Sequence, residues 1–104
     1  MNLRMILNED RHRLESLYGD RMTRLVLFGS QARGDADPGS DIDLLVVLRG
    51  PVTPGREIAH VSEAIAALSL EHGIVISCTF VSADRYATER SPLLLNVRRE
   101  GVPV

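Results

Sequence analysis

The sequence predicts an α/β (α+β) fold, in which a small mixed sheet of about three strands is flanked by helices. Three short aliphatic segments, at 23–28, 41–48 and 74–81, have the length and the residue types of buried strands. The segments at 3–18 and 54–72 instead place apolar residues three and four positions apart, as amphipathic helices do. With 104 residues, the chain is expected to form a single domain over 1–104.

The first half of the chain is expected to form a helix and two strands. Apolar residues of the first helix share one stripe, and Gly19 and Asp20 end it. The strand at 23–28 is apolar on both faces, and so is the strand at 41–48 after its first three residues, which is typical of strands that are covered on both sides. A loop of small residues separates them, and a short helix-like segment, "QARGD", follows Ser30 within it.

The second half is expected to form a long helix, a third strand and two short helices. Gly73 ends the long helix, and the β-branched strand at 74–81 follows it. Residues that favour a helix start stand at four positions: Thr53, Pro54, Ser82 and Ser91. The predicted order of elements is therefore α-β-β-α-β-α-α.

Composition and charge exclude several classes of protein. The net charge of -2 argues against a general electrostatic role at nucleic acid or membranes. All 12 basic residues are arginine, which excludes lysine chemistry. The single cysteine, Cys78, excludes an internal disulfide, and its apolar neighbours predict a buried thiol. No apolar run approaches the roughly 20 residues of a membrane span, so we expect a cytoplasmic protein.

Asp41 and Asp43 are candidate metal ligands. They lie two positions apart at the start of a predicted strand, so their carboxylates project from the same face. Two such charges repel each other unless a cation or a proton lies between them, and Mg²⁺ takes one or two carboxylates together with substrate phosphates. The alternative is that both aspartates only decorate a turn, where aspartate is common.

The loop before them favours phosphate binding. Gly29 allows the backbone to approach a phosphate, and the Ser30 hydroxyl offers a further donor. Arg33 is a candidate phosphate ligand, with a surface salt bridge as an equally good interpretation. Neither a calcium loop nor a dinucleotide-binding or Walker motif fits the sequence.

The stretch "GSQARGDADPGSDIDLLVV" resembles the signature of the nucleotidyltransferase superfamily typified by DNA polymerase beta. In that signature, a Gly-Ser pair precedes Asp-x-Asp by ten residues. Gly29 and Ser30 stand at that spacing before Asp41 and Asp43. The chain's length resembles that of the stand-alone minimal nucleotidyltransferases, and the likeness covers nearly the whole chain.

The resemblance implies a concrete activity. Asp41 and Asp43 are expected to bind Mg²⁺, and Gly29 and Ser30, helped by Arg33, to hold the phosphates of ATP. A nucleotidyl group then passes to an acceptor hydroxyl and pyrophosphate leaves. Minimal members often accompany a HEPN ribonuclease toxin and act as its antitoxin by adding AMP to a toxin tyrosine. The expected partners are therefore ATP and such a toxin, within a homo- or hetero-oligomer.

One residue departs from the family pattern. The family's third carboxylate lies on the strand after the long helix, and counting from Gly73 puts Ser77 at that position. Serine does not replace a carboxylate's charge at a metal. Three consequences remain open: catalysis with two carboxylates, an acid supplied from elsewhere, or binding without turnover. We favour reduced but real activity.

Two rival functions follow. The chain is either a protein adenylyltransferase, which the intact residues Gly29, Ser30, Asp41 and Asp43 support, or a non-catalytic antitoxin with a vestigial site, which Ser77 supports. An aminoglycoside-type nucleotidyltransferase is disfavoured, because 104 residues leave no second domain to hold a small-molecule acceptor.

Overall fold

A computed structural model describes residues 2–37 and 39–104 of the chain. Their elements are, in order, helix α1 (Leu3–Tyr18), a 3₁₀ turn (Gly19–Arg21), strand β1 (Met22–Phe28), helix α2 (Ser30–Arg33), strand β2 (Ile42–Leu48), helix α3 (Pro54–His72), strand β3 (Ile76–Ser82), helix α4 (Ala83–Thr88), helix α5 (Pro92–Glu100) and strand β4 (Val102–Pro103).

The four strands form one mixed sheet in the order β3-β2-β1-β4. Strands β1 and β2 are antiparallel, whereas β2 and β3 are parallel because α3 carries the chain back between them. The predicted fold class is confirmed, but the sheet has one strand more than the about three expected. Strand β4 has two residues, one of them Pro103, and pairs with the edge of β1. A strand so short has no apolar alternation that a sequence could reveal.

Strand β2 lies at the centre of the protein. Its residues Leu44 to Leu48 are all buried, as the run of apolar residues predicted. One face of the sheet packs against α1 and α3, through residues such as Leu14 and Leu68. The opposite face packs against α4 and α5, through residues such as Leu94.

Side chains alternate between the two faces along β2, so Asp43 shares the α5 side with Leu45 and Val47.

Most of the predicted helix boundaries are confirmed. The hydroxyls of Ser82 and Ser91 accept hydrogen bonds from backbone N–H groups in the first turns of α4 and α5. Gly73 ends α3 in the left-handed conformation. Thr53 stands at the N-cap of α3 as predicted, but its hydroxyl makes no capping hydrogen bond, so Pro54 and its fixed φ mark this start instead.

A buried carboxylate joins the ends of α1 and α3. Glu57 is 4% exposed. Its carboxylate accepts hydrogen bonds from the Arg21 guanidinium at 3.2 and 3.1 Å and from the Tyr18 hydroxyl at 3.1 Å. Because a buried charge needs partners, these contacts hold the start of α3 against the turn before β1.

The helices of the described segments are too short or too polar to cross a membrane.

Candidate active site

Strands β1 and β2 bring the Gly-Ser loop beside the aspartates. In the antiparallel pair, Phe28 lies opposite Asp43, so the chain leaves β1 at Gly29 next to the point where β2 begins. Helix α2 starts directly after Gly29, at Ser30. The residues that the sequence analysis singled out in two separate stretches are therefore neighbours in space at one end of the sheet.

Two features of the structure require a glycine at position 29, its backbone conformation and its contact with Asp43. The φ of 77° and ψ of -158° at Gly29 belong to a region that side chains essentially never adopt. A Cβ atom at this position would also overlap with Oδ2 of Asp43 and lie 3.4 Å from its Cγ. The absent side chain thus makes the space in which the Asp43 carboxylate lies against the loop.

The two aspartates differ in exposure. Asp43 is half-buried and Asp41 is exposed. Burial, and secondly the negative charge of Asp41, raise the pKa of the Asp43 carboxyl. A cation between the two carboxylates would relieve both effects, because it offsets the lost hydration and the mutual repulsion. The donor set, two carboxylates open to solvent on one side, fits Mg²⁺.

Helix α2 gives the loop a defined shape. Its first turn is closed by hydrogen bonds to the Gly29 carbonyl from the N–H groups of Ala32 at 3.1 Å and Arg33 at 3.2 Å. The Gln31 side chain donates a hydrogen bond from Nε2 to the Ser40 carbonyl at 3.0 Å, which ties α2 to the segment entering β2. The N–H groups of Ser30 and Gln31 come before the two that bond to the Gly29 carbonyl and have no carbonyl one turn back within α2, so they are candidate donors to an anion.

Gln31 was not singled out from the sequence. Its position inside the glycine-serine signature is the only signal that could have pointed to it, since its partner is a backbone carbonyl nine residues away.

Arg33 is engaged with carboxylates. Its Nε lies 3.2 Å from Oδ2 of Asp35, and its Nη1 lies 3.9 Å from Oε2 of Glu100 at the end of α5. These contacts favour the salt-bridge interpretation of Arg33. All three side chains are exposed, so the pairs are weak and a phosphate would compete with them.

Ser77 lies next to Asp43 on the neighbouring strand. The parallel register of β2 and β3 pairs Asp43 with Ser77, and paired residues of parallel strands project from the same face. The side chain at Ser77 is exposed. The hydroxyl thus stands beside the carboxylate at the position predicted for a third acid, and it brings no charge.

A different set of side chains also has metal-ligating potential. Glu9, Glu71 and His72 approach one another where α1 meets the end of α3, and the set contains neither Asp41 nor Asp43. This set is not visible in the sequence, because Glu9 lies 63 residues before His72 and no pair of histidines marks it.

The chain is similar to known proteins in sequence and in structure. The sequence profile of the family described as nucleotidyltransferase domain matches residues 7–86. MJ0604 of Methanocaldococcus jannaschii, whose name proposes that it is a protein adenylyltransferase, is 35% identical over 86 residues. That alignment covers 83% of this chain and 80% of MJ0604.

Three solved structures share the fold. A protein described as a proposed minimal nucleotidyltransferase is 27% identical, with a TM-score of 0.62 over 100% of this chain and 97% of its own. A toxin-antitoxin structure with AMP-PNP gives a TM-score of 0.67 at 18% identity, over 92% of this chain and 69% of that one. A complex of the tri-AMPylated HEPN toxin of Shewanella oneidensis with MNT antitoxin gives a TM-score of 0.58 at 17% identity, over 96% of this chain and 69% of that one. The two likenesses below 25% identity establish the fold alone.

Proposed function

This chain belongs to the nucleotidyltransferase domain family and is a nucleotidyltransferase, and we propose that it transfers AMP from ATP to a tyrosine hydroxyl of a HEPN-type ribonuclease toxin. In this role residues 1–104 act as one domain, in the cytoplasm, and the transfer neutralises the toxin. The match of residues 7–86 bears out the family predicted from the sequence, and the solved relatives include toxin-antitoxin components.

The observation that carries the proposal is the fit between Gly29 and Asp43. The loop that would hold the triphosphate and the carboxylate that would hold its metal are in contact, and that contact depends on a missing Cβ. Phosphoryl transfer relies mainly on positioning and on neutralisation of charge, so an arrangement that fixes both groups against each other suits this reaction.

Each residue has a distinct task in the proposed reaction. Asp41 and Asp43 hold Mg²⁺, which supplies positive charge against the phosphates of ATP. The backbone at Gly29 and the hydroxyl of Ser30 donate hydrogen bonds to phosphate oxygens and orient the chain of phosphates. The oxygen of the acceptor hydroxyl attacks the α-phosphorus and forms the new bond to AMP, and its proton passes to water. The bond between the α-phosphorus and the oxygen that bridges to the β-phosphorus breaks, and pyrophosphate leaves with its electron pair.

Arg33 would contact phosphate only after ATP binds, because its guanidinium otherwise contacts carboxylates. Its guanidinium contacts Asp35 and Glu100 across 3.2 and 3.9 Å. A phosphate with a higher charge density than a carboxylate would draw the exposed guanidinium from these weak pairs.

Ser77 favours a second candidate function. A site with two carboxylates and a serine beside Asp43 holds metal less tightly than one with three carboxylates. A protein with such a site would neutralise the toxin by binding it, and nucleotide turnover would be absent. In this alternative the partner is still the HEPN-type toxin, but no AMP is transferred to it.

Intact-mass spectrometry separates the two functions. The proposal calls for a HEPN-type partner, so the product of the neighbouring gene is incubated with this chain, ATP and Mg²⁺, and its mass is followed over time. Transfer predicts gains in whole AMP units, which disappear when the acceptor tyrosine is changed to phenylalanine. Binding without transfer predicts an unchanged mass together with a stable complex in size-exclusion chromatography.

The matched control is Asp41→Asn/Asp43→Asn. This variant keeps the size of both side chains and removes their charges, so the proposal predicts that it forms no adduct. An unmodified toxin in the presence of the unaltered protein would overturn the transfer function, and an adduct formed equally by the control would overturn the assigned site.

A further inference from the structure

A second cluster of ligand atoms lies between α1 and α3. Glu9 projects from α1, and Glu71 and His72 form the last turn of α3. One atom from each, two carboxylate oxygens and an imidazole nitrogen, lie within 4.8 Å of one another. Nε2 of His72 is 2.6 Å from Oε2 of Glu9. The imidazole is largely covered, with 13% of its side chain exposed.

A buried carboxylate without partners lies beside this cluster. Asp10 follows Glu9 on α1, is 0% exposed, and neither of its oxygens has a hydrogen-bond partner. Within residues 2–37 and 39–104 these are the only buried side-chain oxygens or nitrogens in that condition. Burying an unpartnered carboxylate costs several kcal/mol by general estimates, and a nearby cation would offset that cost.

Electrostatics link Asp10 to the same cluster. Burial raises the pKa of the Asp10 carboxyl to about 6, while the charge of His72 lowers it and that of Glu9 raises it. The buried carboxylate is therefore within electrostatic reach of two of the three ligands. Asp10 thus adds a third carboxylate to the neighbourhood of a single imidazole.

We propose that Glu9, Glu71 and His72 bind a divalent transition-metal ion of the Zn²⁺ class, with Asp10 as a buried anion beside the site. The donor set decides the class, because one imidazole nitrogen with carboxylate oxygens suits Zn²⁺, whereas Mg²⁺ prefers oxygen alone. The ion would link α1 to the end of α3, four residues before β3 begins, and would stabilise the folded chain by mass action. The site is separate from Asp41 and Asp43 and does not depend on the proposed reaction.

The experiment uses protein freed of any affinity tag, with Asp41→Ala/Asp43→Ala as the parent to remove the other carboxylate pair. Zn²⁺ is titrated into the parent by calorimetry at pH 7.5, and Co²⁺ is added in parallel to follow its visible absorption. The proposal predicts binding of one ion per chain and Co²⁺ bands that indicate nitrogen and oxygen ligands. It also predicts a rise in Tm on addition of Zn²⁺.

Variants identify the ligands. His72→Ala and Glu9→Gln are expected to weaken Zn²⁺ binding at least about tenfold, which corresponds to roughly 1.4 kcal/mol or more. His12→Ala, which removes an exposed histidine from the same helix α1, is the matched control and should bind as the parent does. Asp10→Asn keeps all three ligands but removes the buried charge, so it should bind more weakly than the parent.

Circular dichroism and a cooperative thermal transition establish that each variant is folded. Equal affinity in the parent, His72→Ala and Glu9→Gln would overturn the proposal, and so would a parent that shows no Zn²⁺ binding at about 100 µM. If Zn²⁺ binds the unaltered chain but not the parent, its ligands are Asp41 and Asp43, and the proposed site is wrong.

Discussion

Gly29 and Asp43 form a matched pair, in which one residue has no side chain and the other fills the space with a carboxylate. Gly29 follows β1 directly and Asp43 lies in β2, and they meet because Phe28 and Asp43 are opposite each other in the antiparallel register. The loop before α2 and the start of β2 thus cannot change independently. This relationship connects the phosphate-binding and metal-binding parts of the proposed site, and it leads directly to the first prediction.

Gly29→Ala should abolish most of the activity. The new Cβ would force the Asp43 carboxylate aside, and a misplacement of about 1 Å at a reacting centre costs on the order of a hundredfold in rate. We expect AMP transfer to fall at least about a hundredfold. The measurement is the initial rate of adduct formation on the toxin.

Gly34→Ala is the control for this substitution. Gly34 has a φ of 78° and ends α2, yet a Cβ there would meet nothing within 4 Å. It should lose about 1 kcal/mol of stability and little activity. Equal losses of activity in both variants would show that backbone strain in the loop, and not the contact with Asp43, accounts for the effect.

Ser77→Asp should strengthen metal binding. Because Ser77 is paired with Asp43 across parallel strands, an aspartate there adds a third carboxylate to the same face. Without metal, the added charge should lower Tm by repulsion; with Mg²⁺, Tm should recover, and half-maximal activity should need about tenfold less Mg²⁺.

Thr79→Asp places the same charge two residues further along β3, where it pairs with Leu45. This variant should show no Mg²⁺-dependent recovery of Tm. If Ser77→Asp behaves as Thr79→Asp does, the position beside Asp43 does not take part in metal binding.

Removing Arg21 should destabilise the fold. Arg21→Met leaves the Glu57 carboxylate buried with only the Tyr18 hydroxyl as partner, and loss of one member of such a pair costs about 2–4 kcal/mol when the other stays buried. The free energy of unfolding is measured in urea. Arg85→Met removes the ion pair that Arg85 in α4 forms with Glu89 just after the helix. Because Arg85 is exposed, this loss should lower the free energy of unfolding by less than about 0.5 kcal/mol. Similar losses in both variants would contradict the role given to Glu57.

Cys78 should react slowly with alkylating reagents. Burial, and secondly the charge of Asp10, raise the pKa of its thiol to about 12. The reactive thiolate becomes scarcer as the pKa rises, so at pH 8 alkylation should be at least about a thousandfold slower in the folded chain than in urea. The rate should keep rising with pH up to pH 10. A plateau near pH 9, read by mass spectrometry of the adduct, would contradict this.

The sequence predicts the centre of this protein better than its edges. Strand β2 is recognisable because Leu44 to Leu48 are covered on both faces, and the position of Ser77 follows because β3 is parallel to β2 and begins soon after Gly73. Both inferences depend on local sequence patterns, a run of aliphatic residues in β2 and the short spacing between Gly73 and β3. Strand β4 has only Val102 and Pro103, and its pairing is decided by the edge of β1.

Contacts between distant parts of the chain were not predictable in the same way. Asp10 stands four residues from both Ile6 and Leu14, so its place on the buried stripe of α1 could have been noticed. Its lack of partners depends on α3 and β3, which no local pattern describes. The ion pair of Arg33 with Glu100 likewise exists only because α5 returns to α2.

The central claim is that Asp41, Asp43 and the Gly29–Ser30 loop form one site for ATP and its metal. Calorimetric titration of ATP into the chain, with Mg²⁺ and then with EDTA, tests this without any toxin. The account predicts that Mg²⁺ strengthens ATP binding at least about tenfold and that Asp41→Asn/Asp43→Asn removes this gain. An equal gain in the double variant, or ATP binding that is indifferent to Mg²⁺ in the unaltered chain, would contradict it.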